Sequence, residues 1–167
     1  MTNEEFNAIY RSTQQPLANF AYRRIARSEV EDVVAETFRI AFEKRAKLQT
    51  VDALPWLYRI ASNVILNHRR KLAKLPLSFD FLNFEPPVPA AEMLQESDPQ
   101  LAAAWNQLKT AERAVLSLNV FEELQPREIG VVLSVSANAA AIKLFRAKTK
   151  LRELLLAERK MTEATSD

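Results

Sequence analysis

The sequence contains no cysteine, one glycine and one histidine. Without cysteine there is no disulfide bond and no thiolate zinc site, which suits a reducing compartment without proving one. The histidine, His68, has no carboxylate cluster at metal-ligand spacing around it, and one glycine cannot build a phosphate-binding loop. We therefore expect no metal, no cofactor and no enzymatic activity, and interpret His68 as a packing or phosphate-facing residue.

The shortage of glycine also bears on the fold class. Tight β-hairpin turns depend on glycine, and here one glycine stands against 8 prolines. Strands joined by tight turns are therefore disfavoured, while a content of 48% hydrophobic and 26% charged residues is typical of a globular chain. The composition predicts an all-α protein.

Long hydrophobic runs are missing as well, and no apolar stretch is long enough to cross a membrane. The N-terminal residues Met1–Glu5 are acidic and do not resemble a signal peptide. We expect a cytoplasmic protein with no membrane insertion. The net charge of +2 says little about partners, so the distribution of charge along the chain matters more.

Residues 1–74 are predicted to form a four-helix bundle. Helix start signals, which are capping residues or a proline in the first turn, occur at Thr2, Pro16, Ser28 and Asp52. Four helices within about seventy residues make one compact unit.

The helix that starts at Asp52 has two different faces. Its apolar positions at helical spacing are Leu57, Ile60, Ala61, Val64 and Ile65. Its polar positions are Arg59, Ser62, Asn63, Asn67 and Arg70, followed by the basic end His68–Lys71. Phosphates require cationic donors and base edges suit short amides. The polar face is therefore either a nucleic-acid surface or the ordinary outside of a helix whose basic end suits its dipole.

Residues 75–98 differ in composition from the rest of the chain. Prolines interrupt any helical periodicity, and the interval contains five acidic residues with no lysine or arginine. It is interpreted as an acidic, proline-containing linker, or as an acidic strap that lies in a basic groove of a partner.

Residues 99–160 are predicted to form a second helical bundle. Helices are expected to start after Asp98, at Thr110, after Gln125 and after Ser136. The short third helix, the three-residue turn and the long last helix together make a helix-turn-helix unit.

The last helix is basic and is followed by a tail. Between Ser136 and Lys160 there are seven basic residues against two acidic ones, a distribution that attracts phosphate. Gly130 is expected where the two helices of the helix-turn-helix approach closely. Residues 161–167 are predicted to be a disordered tail.

Three blocks of this sequence together resemble the extracytoplasmic-function (ECF) family of bacterial RNA polymerase sigma factors. Glu31–Phe38 is similar to the family's acidic block EDLVQETF, and Trp56–Asn63 is similar to its WLFRIARN. Pro126–Arg152 is similar to its helix-turn-helix, which ends in RARxxLR. The resemblance extends over Phe6–Leu155, and it implies a σ2-like and a σ4-like domain joined by the linker.

The resemblance implies a protein that binds core RNA polymerase and directs promoter recognition and DNA opening. In the family the first block docks on a coiled coil of the β′ subunit, and the β flap is a further implied contact. The implied polymerase-binding residues are Asp32, Glu36 and Arg39. The like charges of Asp32 and Glu36, one helical turn apart, are tolerated if a basic partner covers them or if Arg39 relieves them within the helix.

In the family the second block binds the −10 promoter element as a melted single strand. The implied −10 residues are Arg59, Asn63, Asn67, Arg69, Arg70 and Lys71. The loop over residues 47–52 would cradle an unstacked base. Trp56 and Tyr58 are either stacking surfaces for bases or core residues.

The third block would read the −35 element. The implied −35 residues are Arg127, Ser136, Asn138, Ile142, Lys143 and Arg146. The recognition helix departs from the family, because Ala139, Ala141 and Ile142 replace the usual Thr, Lys and Ser, and Phe145 replaces the usual His. The two large apolar groups either contact thymine methyls, meet a protein partner or pack on neighbouring helices.

Two other functions stay open. Family members are commonly inhibited by an anti-sigma factor, so a sigma-like decoy that binds such a factor without initiating transcription is the alternative hypothesis. An ordinary helix-turn-helix repressor explains neither the acidic pair Asp32 and Glu36 nor the acidic linker.

Overall fold

The computed structural model describes residues 1–48, 53–73 and 96–165. Within these ranges the chain forms seven α-helices and two 3₁₀ turns, Arg27–Glu29 and Arg45–Lys47, and no strand. The helices are α1 (Asn3–Tyr22), α2 (Val30–Glu43), α3 (Ala53–Ala73), α4 (Pro99–Asn106), α5 (Thr110–Val120), α6 (Pro126–Leu133) and α7 (Ala137–Thr165). The all-α prediction is confirmed.

The prediction that Pro16 opens a second helix is wrong, because Pro16 lies inside α1, and the described part of residues 1–74 contains three α-helices instead of four. A proline inside a helix removes a hydrogen bond and costs about 3 kcal/mol. The residues that follow it, Leu17 and Phe20, are fully buried where α1 contacts α2 and α3. Burying each such side chain contributes about 1.5–3 kcal/mol, which is enough to carry the helix through the proline.

Of the other helix starts predicted in this half of the chain, one is confirmed, one is shifted and one lies outside the described residues. Thr2 caps α1 in a reciprocal box with Glu5, as predicted. At Ser28 no capping box forms, because the chain makes a 3₁₀ turn there and α2 begins two residues later at Val30. Asp52 lies outside the described residues, and α3 begins at Ala53.

α1, α2 and α3 pack around a core that includes the fully buried Phe20, Val33 and Leu57. The ring of Tyr58 stacks on Phe20, with 4.5 Å between the ring centroids. Tyr58 is therefore a core residue and not a stacking surface for bases. Trp56 is half-buried and packs against the same core.

The helix-turn-helix is formed by α6, a tight turn and α7. Ser134 closes α6 in the left-handed region, at φ 58°, and the Ser136 hydroxyl accepts from the backbone N–H of Ala139 at 3.0 Å. A Cβ on Gly130 would lie 2.8 Å from the carbonyl oxygen of Val135. Glycine is required there because the turn passes directly over α6, as expected from the sequence.

The N-terminal helices and the C-terminal helices are in contact. α3 packs against α6, and one continuous apolar cluster contains residues of both groups, among them Leu57 and Ile129. A cleft of about 590 Å³ remains open between α1, the start of α3 and α6, beside Thr13, Leu54 and Glu128. Most of the predicted linker lies outside the described residues, so its conformation and the domain boundaries stay predictions.

The structure differs from the prediction of a disordered tail over residues 161–167, since α7 continues to Thr165. The extension contains the helix-favouring residues Met161, Glu163 and Ala164, and no glycine or proline stops it.

No single helix of the described part of the chain is long and apolar enough to span a membrane. α6 and α7 meet the length and composition criteria only as a pair, bent by 103°.

Candidate nucleic-acid interface

The outer face of α3 carries an exposed polar stripe. Leu57, Ala61 and Ile65 are fully buried and fix the rotation of the helix. Spaced four residues apart on its other side, the exposed positions are Arg59, Asn63, Asn67 and Lys71. The two amides are suited to base edges, and the two cations at the ends of the stripe are suited to phosphates.

The other two arginines predicted for this face are only half exposed. Arg69 turns toward the protein and donates from Nη2 to the backbone carbonyl of Arg24 at 2.7 Å. This bond ties the end of α3 to the segment after α1, so Arg69 has a structural role. His68 is also engaged within the protein, with Nδ1 3.7 Å from a carboxylate oxygen of Glu29.

An acidic face on α2 lies near the basic end of α3. Arg39 donates two hydrogen bonds to Glu36, at 2.7 and 2.8 Å, and a third to Glu43. These bonds lower the pKa of Glu36 below its ordinary value, and the charges of Arg39, Lys71 and His68 act in the same direction. Asp32 is exposed on the same helix. The like charges of Asp32 and Glu36 were predicted to be offset either by a basic partner or by Arg39. Within the chain, Arg39 pairs with Glu36 and offsets its charge.

The helix-turn-helix presents the exposed side of α7. Its buried side consists of Ala140, Leu144 and Ala147, and it packs on α4, α5 and α6. The −35 residues predicted from the sequence, namely Arg127, Ser136, Asn138, Ile142, Lys143 and Arg146, are all exposed. Ser136 is also the cap of α7, so its hydroxyl is already engaged with the backbone.

Phe145 is the most exposed large apolar side chain on this face, at 72%, and Ile142 is 43% exposed. Packing on neighbouring helices, one of the three interpretations of these residues, is therefore excluded for Phe145. The alternatives that remain are contact with DNA and contact with another protein.

The structure also contains a buried ion cluster that no sequence pattern indicated. Glu122, between α5 and α6, has a side chain that is 1% exposed, and it accepts from Arg24 at 2.7 Å and from Arg23 at 3.2 Å. Both arginines follow α1, so the cluster joins the N-terminal helices to the C-terminal helices. We call it the interdomain ion cluster. A double arginine after a helix and a glutamate in a loop are common in surface segments, so sequence alone gave no signal.

The interdomain ion cluster is deeply desolvated. Burial lowers the pKa of Arg24 below its ordinary value, although Glu122 acts in the opposite direction. Burial also raises the pKa of the neighbouring Tyr58, and Glu122 adds to that shift. Arg24 further donates to the carbonyl of Phe20 at 3.0 Å and lies 3.7 Å from the centroid of its ring.

Within the described ranges, no group of three or more His, Asp or Glu side chains is arranged to hold a metal ion.

Two family models match this chain, one in each group of helices. Residues 9–75 match the family model of Sigma-70 region 2, and residues 99–151 match that of Sigma-70 region 4. The first range contains α2 and α3, and the second contains α4, α5, α6 and the first half of α7.

Individual proteins are similar over most of the chain. RNA polymerase sigma factor CarQ of Myxococcus xanthus is 30% identical over 133 residues, which cover 75% of this chain and 74% of CarQ. ECF RNA polymerase sigma factor SigE of Mycolicibacterium smegmatis is 29% identical over 76% of this chain, and the match spans 52% of SigE.

A solved structure, that of CnrH in complex with the cytosolic domain of CnrY, is similar with a TM-score of 0.58 and 25% identity. The similarity covers 91% of this chain and 88% of the solved one. Matches to both sigma regions in their order, together with the identity to CarQ, show the family. The chain belongs to the extracytoplasmic-function class of RNA polymerase sigma factors.

Proposed function

We propose that this protein binds core RNA polymerase, directs it to promoters and helps to open the DNA. The observation that carries the proposal is the exposed stripe Arg59, Asn63, Asn67 and Lys71 on α3, in a chain that also exposes a basic helix-turn-helix. A repressor needs only the second of these surfaces. Since polymerase and DNA are its targets, we place its site of action in the cytoplasm.

The α3 stripe would bind the −10 element after its strands separate. An unpaired base exposes hydrogen-bonding edges that the duplex conceals, and the amides of Asn63 and Asn67 can bind them. Arg59 and Lys71 at the two ends of the stripe would bind phosphates. Groups that bind separated strands better than paired ones shift the equilibrium toward the open state. Arg70 is a further candidate for the backbone, whereas the bond from Arg69 to Arg24 makes Arg69 a weaker one.

The acidic face of α2 would dock on the polymerase β′ coiled coil, and the β flap would be a second contact. Asp32 is exposed and available, whereas Glu36 is held by Arg39. The internal ion pair keeps Glu36 ionised and its carboxylate oriented before any partner arrives. Asp32 is therefore expected to contribute more to docking than Arg39, whose guanidinium is already engaged.

The exposed side of α7 would bind the −35 element. Arg127, Lys143 and Arg146 supply cations, and Asn138 near the helix N-terminus supplies an amide that suits adenine. Binding through several cations is expected to weaken steeply as salt is raised.

Run-off transcription with core polymerase tests the proposal. A mapped promoter should give a transcript only when this protein is added. The double variant Asn63→Ala/Asn67→Ala should lower open-complex formation about tenfold or more, because each amide contact to a base contributes about 1–3 kcal/mol. Asn7→Ala, which removes an exposed amide from α1, is the matched control.

The same experiment separates the alternatives. Core binding that persists in the double variant, with loss of strand opening, would identify α3 as the −10 reader. A decoy for an anti-sigma factor would give no transcript under any condition, and a repressor would bind duplex DNA without polymerase.

An anti-sigma factor is a further proposed partner. CnrH, which is similar over most of this chain, is solved in complex with the cytosolic domain of another protein, CnrY. By this similarity we propose that an inhibitory protein binds the chain in competition with polymerase. Titrating such a protein into the run-off reaction should abolish the transcript, and excess core polymerase should restore it.

A further inference from the structure

The exposed side of α7 has an unusual chemical composition for a DNA-reading helix. Asn138, Ile142 and Phe145 follow one another at steps of four and three residues, opposite the buried side. Only Asn138 carries a hydrogen-bonding group. We call these three residues the reading stripe.

Cationic side chains border the reading stripe. With 3.6 residues per turn, Lys143 lies about 100° around the helix from Ile142, and Arg146 lies the same angle and direction from Phe145. Lys148 and Arg152 follow Phe145 one and two turns later, and all four side chains are exposed. An apolar stripe with cations along one side and beyond its C-terminal end is complementary to a thymine-containing groove whose edges are phosphates. This charge pattern favours duplex DNA over a protein partner.

Only one base offers an apolar group in the major groove, and that is thymine through its C5-methyl. The other base edges there present donors and acceptors, which an apolar side chain would strip of water without replacing the hydrogen bonds. Leaving one such group unsatisfied costs about 1–3 kcal/mol. Ile142 and Phe145 would therefore favour thymine and disfavour the other bases at the same positions.

From these observations we propose that α7 recognises a −35 element containing thymines whose methyl groups contact Ile142 and Phe145. Asn138 would bind an adenine at the end of the element nearest the helix N-terminus. The helix rises about 10 Å over the seven steps from Asn138 to Phe145, which corresponds to about three base steps. The inference rests on the proposed function, in which α7 is the −35 reader.

The test uses the holoenzyme and the promoter that it selects from DNA randomised across the −35 region. Each thymine of the selected element is then replaced by deoxyuridine, which pairs identically and lacks only the methyl. Burying one methyl-sized group contributes enough for about a fourfold change in affinity. We expect about that loss at each contacted thymine and about fifteenfold for two.

The variant Phe145→Ala assigns the contact to a residue. It should bind the thymine promoter more weakly than the parent protein, and it should no longer distinguish thymine from deoxyuridine at one position. Met161→Ala, which removes a 65% exposed apolar side chain from the far end of the same helix, should keep the full discrimination.

Two negative results have different meanings. If the holoenzyme depends on its −35 sequence but ignores the deoxyuridine replacements, the thymine inference is overturned and the proposed function stands. If Phe145→Ala and Arg146→Ala leave both DNA binding and −35 dependence unchanged, α7 is not the reader, and the proposed −35 function fails with it. If Phe145→Ala loses binding to an inhibitory protein but keeps its binding to the promoter, the inference is likewise overturned.

Discussion

The interdomain ion cluster predicts a large effect for a very small substitution, Glu122→Gln. The change keeps the size of the side chain and one acceptor oxygen while it removes the charge that faces Arg24 and Arg23. The Arg24 side chain is only 4% exposed, so water cannot reach it while the two groups of helices stay in contact.

Leaving one member of a buried ion pair without its partner typically costs about 3–5 kcal/mol. We expect the lower end here, because glutamine retains one hydrogen bond and Arg24 keeps its bond to the Phe20 carbonyl and its place on the Phe20 ring. Arg23, with 23% of its side chain exposed, adds about 1 kcal/mol or less. A loss of about 3 kcal/mol changes an equilibrium about a hundredfold.

Separation of the two groups of helices relieves this cost at a smaller expense than unfolding, because it gives Arg24 access to water and exposes only the apolar contact that the two groups share. The assay is energy transfer between dyes at Gln14→Cys on α1 and Lys160→Cys on α7, in a sequence with no other cysteine. Transfer should fall in Glu122→Gln, with unchanged far-UV circular dichroism. The adjacent exposed Glu123→Gln should leave it unchanged. Unchanged transfer in Glu122→Gln would refute the reasoning.

Three further predictions concern single side chains. Gly130→Ala would bring a Cβ within 2.8 Å of the Val135 carbonyl and should destabilise the C-terminal helices by about 1–3 kcal/mol in urea unfolding. Pro16→Ala restores a helical N–H inside α1 and should raise the free energy of unfolding by about 1–2 kcal/mol, part of the gain being lost to a more flexible unfolded chain. In an NMR titration the carboxyl of Glu36 should have a pKa below its ordinary value, and Arg39→Gln should return it toward that value. Because this pKa is lowered by folding, its contribution to stability is present above the unfolded pKa and disappears as the pH falls through the folded one.

The helices and their faces were predictable because local signals and burial agree. On α3 the apolar spacing identified the buried side, and the side that it left exposed is the polar stripe with Asn63 and Asn67. The Ser136 cap and the close approach at Gly130 also follow from local chemistry. At Pro16 the local sequence predicted a new helix, but α1 continues through this residue. The burial of Leu17 and Phe20 outweighs the hydrogen bond that proline cannot make.

The contacts between distant segments were not predictable. Arg69 was expected to face phosphate and instead bonds the carbonyl of Arg24, and Glu122 follows Arg24 by almost a hundred residues. Such pairs depend on how two packed groups of helices meet, which no helical periodicity encodes. The same holds for Tyr58, whose place on Phe20 is set by the crossing of α1 and α3.

The contact between the two groups of helices has a consequence for promoter binding. The −10 and −35 elements lie about 25 base pairs apart, or about 85 Å at 3.4 Å per base pair. α3 contacts α6 and α6 contacts α7, so at 8–10 Å per helix layer the two proposed reading helices are only about 20 Å apart. If α3 and α7 read the two elements as proposed, the arrangement described here can engage one element but not both, and the interdomain ion cluster would have to open.

Separation of the two groups of helices costs part of the free energy of promoter binding. A variant in which they are already separated should therefore bind a two-element promoter more tightly. Glu122→Gln should raise the apparent affinity of the holoenzyme by up to about a hundredfold, with a smaller gain if polymerase alone already separates the helices. Glu123→Gln should bind like the parent protein. A folding defect alone would lower the apparent affinity for the promoter instead of raising it. If Glu122→Gln binds the promoter more weakly while its binding to core polymerase is unchanged, the contact between the two groups of helices does not oppose initiation.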